Sequence, residues 1–320
     1  MYVIHIKKRL FLISFLLLLC LFFVGCNSIE KSNDDEQVVR IGYQKNGPFL
    51  IVKALGQLDE RLEKEGVKVE WKLFQAGPAL VEAINTGSID IGRTGNTPVI
   101  FAQASDAPFV YVQAGFSKYL GSGILVHEDS SIKTLEDLEG KNIGFARGSS
   151  SHYLIVKALE QAGLSMDDIE QSYLQPGDAR IAFEQKQIDA WVVWDPYAAS
   201  VQVDTNARFI VNGEGLTTDR DFFIATEQYY NHNKEILDII MEEVSNSLDW
   251  ANEHKDELID LLVEELQIDQ EAVEITVNRR VYGIEPLNED IINEQQEIAD
   301  LFYNLDIIPK QLNVRDVIKD

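Results

Sequence analysis

The sequence predicts two α/β lobes, each a mainly parallel sheet flanked by helices, facing one another across a cleft. Two observations carry this. The first is a near-repeat: Ile41-Gly42-Tyr43 leads through a polar loop to Leu50-Ile51-Val52-Lys53-Ala54-Leu55, and farther on Ile143-Gly144-Phe145 leads through another to Leu154-Ile155-Val156-Lys157-Ala158-Leu159. Each copy has a second echo, Gly87-Ser88-Ile89-Asp90-Ile91 before Thr97-Pro98, and Gln187-Ile188-Asp189-Ala190-Trp191 before Asp195-Pro196. The second observation is alternation of short apolar runs with helical patterns, which implies parallel sheets covered by helices.

In order, the first unit is expected to run as strand 38–43, helix 48–65, strand 67–75, helix 79–85, strand 89–92, helix 98–104 and strand 109–114. The second follows as strand 123–126, helix 134–138, strand 142–145, helix 150–162, strand 169–174, helix 178–185, strand 190–193, helix 196–203 and strand 207–212. Serines at the start of 150–162 suit a helix cap, and Pro98 and Pro196 suit first turns. Residues 115–121 and 213–221 fall where one unit gives way to the other, so they are the expected hinge links, with 221–226 returning the chain to the first lobe. That divides the chain into 38–116 and 216–320 for lobe 1, including C-terminal helices, and 117–215 for lobe 2.

The N-terminus points outside the cytoplasm. Lys7, Lys8 and Arg9 precede an almost unbroken apolar run from Leu10 to Val24, the pattern of an export signal over 1–25. Phe23-Val24-Gly25-Cys26 closes it and resembles a bacterial lipobox, with Phe23 in the place of the usual Leu, so Cys26 is the expected lipid-bearing residue. Residues 26–37 are polar and patternless and read as a flexible tether. The only cysteines are Cys20 and Cys26, so the mature domain holds neither a disulfide nor a cysteine metal site, and stability must come from burial. No metal and no cofactor is expected, and a monomer is.

The formal net charge of −25 disfavours nucleic acid as a partner. Much of the acid falls in 238–274 and 285–300, between apolar residues at helical spacing, which makes it the solvated face of C-terminal helices. Local dipoles are therefore left to set the sign of a ligand. Ligands of open α/β sheets collect beyond the carboxyl ends of strands. The best such loop is Arg147-Gly148-Ser149-Ser150-Ser151-His152-Tyr153, where glycine permits close approach, serines donate hydroxyls and the first helical amides attract an anion. Gln44-Lys45-Asn46, Thr94-Gly95-Asn96-Thr97-Pro98 and Trp194-Asp195-Pro196-Tyr197 should meet it. Trp194 offers an apolar wall, Asp195 a helix cap or a partner for a pocket donor, and Trp191 either core or cleft. Asp178 and Arg180, near a helix start, read as a structural ion pair.

Taken together, Ile41-Gly42-Tyr43-Gln44-Lys45, Ala76-Gly77-Pro78, Gly87-Ser88-Ile89-Asp90-Ile91-Gly92, Gly148-Ser149-Ser150-Ser151-His152-Tyr153 and the run from Trp191 to Tyr197 resemble the aliphatic-sulfonate-binding proteins of ABC importers. The resemblance implies a bilobal periplasmic-binding-protein type II fold, capture of an organosulfonate anion, and delivery to a membrane permease and its ATPase. It places Gln44, Thr94, Gly95, Asn96, Gly148, Ser149, Ser150, Ser151, His152, Trp194 and Asp195 in the cleft. Asn96 stands where the motif carries Asp, and Arg147 where Lys is familiar. Relatives bind taurine, nitrate or thiamine precursors, so the ligand's tail stays open.

Catalysis is disfavoured. Ser149, Ser150, Ser151 and His152 lie along one helical turn, where neighbours diverge, so no serine–histidine bond is expected. No Gly-x-Ser-x-Gly elbow occurs, and His127, His232 and His254 are scattered. A receptor's sensing domain would need a second membrane span and an effector domain that the sequence lacks.

Overall fold

The computed structural model describes residues 37–45 and 47–319. The expected export signal, Cys26, the expected tether up to residue 36 and Asn46 lie outside the described residues. Two sheets organise the rest. The first has the order β11-β4-β10-β3-β1-β2, with β1 Gln37–Gln44, β2 Val67–Phe74, β3 Ile91–Gly95, β4 Phe109–Gly115, β10 Asp221–Thr226 and β11 Ile284–Glu285. The second has the order β7-β6-β8-β5-β9, with β5 Ser122–Val126, β6 Asn142–Phe145, β7 Glu170–Tyr173, β8 Ala190–Trp194 and β9 Arg208–Asn212.

Both sheets are mixed rather than mainly parallel. β1 pairs β3 in parallel, and β6 pairs both β7 and β8 in parallel, as the strand–helix repeat requires. β10 instead runs antiparallel between β3 and β4, and β5 antiparallel between β8 and β9. The reason is where these strands begin. A strand of a repeat ends at the cleft, whereas a strand entering from an interlobe link starts there and must run the other way.

The links themselves lie side by side. Lys118 N donates to Thr218 O at 3.0 Å, Ser117 Oγ donates to the same carbonyl at 2.8 Å, and Gly213 N donates to Tyr119 O at 3.1 Å. The C-terminal segment joins them, since Phe116 N donates to Gly283 O at 3.0 Å and Ile284 registers with Gly115.

Helices cover both sheets. The helix expected over 48–65 is broken in two, α1 Pro48–Leu55 and α2 Gln57–Lys64. Gly56 between them takes φ 74°, and its N–H bonds Val52 O, a left-handed stop that glycine adopts without strain. α3 Gly77–Asn85, α4 Asn96–Ala104, α5 Ser150–Gln161, α6 Pro176–Glu184 and α7 Tyr197–Thr205 follow. The helix expected over 134–138 shrinks to one 3-10 turn, because Asp137 Oδ2 accepts the N–H groups of Lys133 and Thr134 and folds the segment into a local turn. The C-terminal part adds α8 Glu227–His232, α9 Lys234–Glu253, α10 Lys255–Leu266, α11 Gln270–Asn278 and α12 Glu289–Asn304.

In lobe 1 one core packs Phe49, Ile51 and Val52 of α1 against Ile240, Val244 and Leu248 of α9. A second includes Leu80, Ile100, Phe222 and Phe302, and it also takes in Tyr153 and Val156 of α5, so it crosses between the lobes. Trp191 is core, packed with Phe183 and Val193 under lobe 2. The ion pair expected between Asp178 and Arg180 does not form. Residues two apart on a helix point to different faces. Arg180 instead bonds Glu184 at 2.7 Å, one turn on, and Asp204 at 2.5 Å.

Candidate ligand-binding cleft

The carboxyl ends of the parallel strands converge between the lobes. β1 brings Gln44, β3 brings Gly95, β8 brings Trp194, and the loop after β6 brings Ser149 and Ser150 to one small cavity. Three helices begin on it. α3 opens with Gly77, α4 is preceded by Gly95 and α5 by Ser149, and none of the three has a side-chain cap. Ser149 is the expected cap, yet its hydroxyl turns back and donates to Ala146 O at 2.7 Å. The amides of Ser150 and Ser151 therefore have no acceptor among the described residues. Unspent amides at a helix start carry roughly half a positive charge and suit an anion.

The same cavity has a buried ionic network that the sequence reading missed. Lys118 bonds Asp219 at 2.5 Å and lies 3.5 Å from Asp221, Arg93 pairs with Asp221, and Arg280 reaches Asp221 at 3.3 Å. Burial alone would raise the Asp221 carboxyl, but Arg93, Lys118 and Arg280 hold it below the usual carboxylate value. Burial lowers the Arg93 guanidinium, against the attraction of Asp221. With the neighbouring Arg279–Asp195 pair, four cations face three carboxylates, which leaves one positive charge for a ligand to neutralise. Asp219 Oδ1 and the Thr94 hydroxyl, both fully enclosed, have no hydrogen-bond partner among the described residues. The sequence did carry a signal: Lys118, Asp219 and Asp221 lie in the links, and Arg279-Arg280 is a basic pair within acid-rich helices.

A second compartment continues past Lys118, Trp194 and Asp219, which line both. Leu50, Ile51, Leu262, Leu266 and Tyr282 give it apolar walls. Asp195 stands here in both of its expected roles. Its Oδ1 accepts the Ala199 N–H at 3.0 Å, capping α7, and the Arg279 guanidinium at 3.2 Å. Burial pushes the Asp195 carboxyl up to about 6, against the pull of Arg279, the Ala199 N–H and Lys118.

Gln44, Gly95, Ser149, Ser150, Trp194 and Asp195 are thus brought together, and Thr94 sits within its strand beside them. The other expected cleft residues do not line it. Asn96 is buried as a pin, donating to Thr217 Oγ1 in the second link at 3.4 Å and accepting from Thr97 Oγ1 at 3.1 Å. Gly148 lies against the Phe101 ring, and the Ser151 side chain is buried in the first turn of α5, which leaves only its backbone amide for the cleft. His152 faces away: its ring sits among Phe145, Phe302 and Phe101, and its Nδ1 accepts the Gly148 N–H at 3.3 Å. Helix geometry explains this, since positions 150 and 152 project to nearly opposite sides.

The family profile described as NMT1/THI5 like matches residues 62–258. The chain belongs to this family. The "Putative aliphatic sulfonates-binding protein" of Escherichia coli (strain K12) is 37% identical over 280 residues, covering 87% of this chain and 88% of the relative. A protein of the same description from Bacillus subtilis (strain 168) is 34% identical over 303 residues, covering 92% and 90%. The alkanesulfonate-binding protein SsuA from Xanthomonas axonopodis pv. citri, solved bound to MOPS, superposes with a TM-score of 0.85 at 36% identity, covering 88% of this chain and 98% of that one. Two mixed sheets joined by paired links give this family member a type II periplasmic-binding-protein architecture.

Proposed function

We propose that the protein captures an aliphatic sulfonate outside the cytoplasmic membrane and hands it to the permease and ATPase of an ABC importer, as a source of sulfur. The observation that carries this reading is the pairing of two compartments. One gathers three uncapped helix starts, with Arg93 and Lys118 balanced by Asp219 and Asp221, which suits a monoanionic sulfonate head. The adjoining one has Trp194 and aliphatic walls, which suit an alkyl tail. The relatives' descriptions support the same ligand class. The sulfonate head is assigned to the amides of Ser150 and Ser151, with Gln44 and Thr94 beside it and Trp194 against the tail.

Taurine is the second reading, and Asp195 favours it. A carboxylate in the tail compartment suits a ligand whose far end is an ammonium. Nitrate would leave the apolar compartment unused. A thermal-shift series with pentanesulfonate, taurine, sulfate and nitrate tests the proposal. Binding by the folded state alone stabilises it by about 2.7 kcal/mol at a hundredfold excess over Kd. Pentanesulfonate should give the largest shift, and a response to nitrate or sulfate alone would reject the sulfonate assignment.

The protein binds rather than catalyses. Ser149 Oγ donates to a backbone carbonyl and His152 Nδ1 accepts from a backbone amide, so the serine–histidine pair of a hydrolase is not assembled. No helix among the described residues is long and apolar enough to cross a membrane. Attachment is assigned to lipid on Cys26, at the end of the export signal.

A further inference from the structure

The side of α5 that carries His152 faces a second cavity, of about 350 Å³, apart from the cleft. Lobe 2 supplies Val156, Leu159, Leu164 and Met166 to its walls, and lobe 1 supplies Leu305 and Ile307. His152 is only 2% exposed, and its Nδ1 is occupied by the Gly148 N–H. Burial, with Arg147 nearby, holds the ring down to about 4, so it is neutral and carries its one proton on Nε2. That N–H has no acceptor among the described residues and is left facing the cavity. Charge at the opening decides the ligand's sign. Glu160, Asp167 and Asp306 are exposed there against the single exposed cation Arg147, so a further anion is disfavoured and the cleft's own ligand is excluded.

We infer that this cavity is a second binding site, for an uncharged small aromatic molecule whose one acceptor takes the His152 Nε2–H. The Tyr173 ring, which lines the cavity with its centroid 6.3 Å from the imidazole, favours an aromatic body. Because both lobes supply walls, occupancy favours the arrangement in which they meet. Second-site ligand and sulfonate should therefore strengthen each other's binding reciprocally.

Acetophenone is the probe, with ethylbenzene as its counterpart lacking the acceptor. Saturation-transfer NMR on the mature domain should show acetophenone bound, and calorimetry in saturating acetophenone should show pentanesulfonate bound at least about fivefold more tightly. Leu164→Trp, which fills the cavity from its rim, should abolish acetophenone binding while sulfonate still binds. His152→Phe should weaken acetophenone about fivefold and leave ethylbenzene unchanged. No acetophenone signal in the folded wild type, or a signal that persists in folded Leu164→Trp, would overturn the site. An unchanged sulfonate affinity with acetophenone bound would overturn the coupling. Neither result bears on the sulfonate assignment itself, which rests on the other face of α5.

Discussion

Gly95 of lobe 1 and the hydroxyl of Ser150 of lobe 2 meet so closely that a methyl group on the glycine would collide with Ser150 Oγ. The two residues start α4 and α5, so this contact brings two helix N-termini together on one cavity. Gly95 itself has φ −77°, an ordinary extended backbone. Glycine there leaves room for the Ser150 hydroxyl and is not needed for its backbone.

Gly95→Ala should therefore leave each lobe folded and turn the Ser150 hydroxyl off the cavity, since Oγ ends a rotatable side chain and the next nearest atom, Ser150 Cβ, stands at 3.5 Å. Pentanesulfonate affinity is expected to fall about fivefold, the worth of one hydrogen bond of about 1 kcal/mol. Small-angle scattering with saturating ligand should give the same radius for the variant and the wild type. A larger radius would mean that the lobes are held apart, and an unchanged affinity that the Ser150 hydroxyl does not touch the ligand.

Ser150 separates amide recognition from side-chain recognition. Ser150→Ala removes one hydroxyl and should cost about 1 kcal/mol of binding. Ser150→Asp should be far worse, because its carboxylate occupies the same amides and repels the anion, while aspartate at a helix start preserves the fold. Calorimetric titration with pentanesulfonate reads both, with melting temperature as the folding control. Wild-type affinity in a folded Asp variant would move the anion site away from α5.

Asp195 should make affinity depend on pH. Its carboxyl titrates near 6, and a bound anion raises that value further by repulsion. Proton uptake then accompanies binding, so a plain alkanesulfonate should bind roughly three- to tenfold more tightly near pH 5 than near pH 7.5. Asp195→Asn should flatten the profile. Taurine should show the opposite slope, because its ammonium is held by the ionised carboxylate.

His152 should govern part of the acid stability. Its folded value of about 4 lies below the ordinary 6.5, so the unfolded chain binds more protons between the two. Stability from this group is complete above pH 6.5 and is lost as pH falls toward 4, with a ceiling of about 3 kcal/mol. In urea titrations across that window, His152→Phe should lose less stability on acidification than the wild type. Parallel curves would mean that other groups set the acid limb.

Cys26 is the test of membrane attachment. Cys26→Ser should abolish incorporation of a labelled fatty acid and leave the export signal in place. Equal labelling in the variant and the wild type would place the lipid elsewhere.

Much of this protein was legible locally. Apolar periodicity marks the strands and helices, and the repeated strand–loop–helix unit marks two lobes, because both are properties of neighbouring residues. The serine loop before α5 and Trp194 were readable for the same reason: each lies at the carboxyl end of a strand, where the fold puts ligands. What tertiary structure alone decided is how distant segments meet. The direction of β5 and β10 follows from their entry at the cleft, which no local pattern encodes. Lys118, Asp221 and Arg280 lie far apart in sequence and become one buried network only when the links and the C-terminal helices close on each other. His152, two positions from Ser150, shares its loop but not its face, because the turn of the helix and the rings of Phe145 and Phe302 turn it away from the cleft.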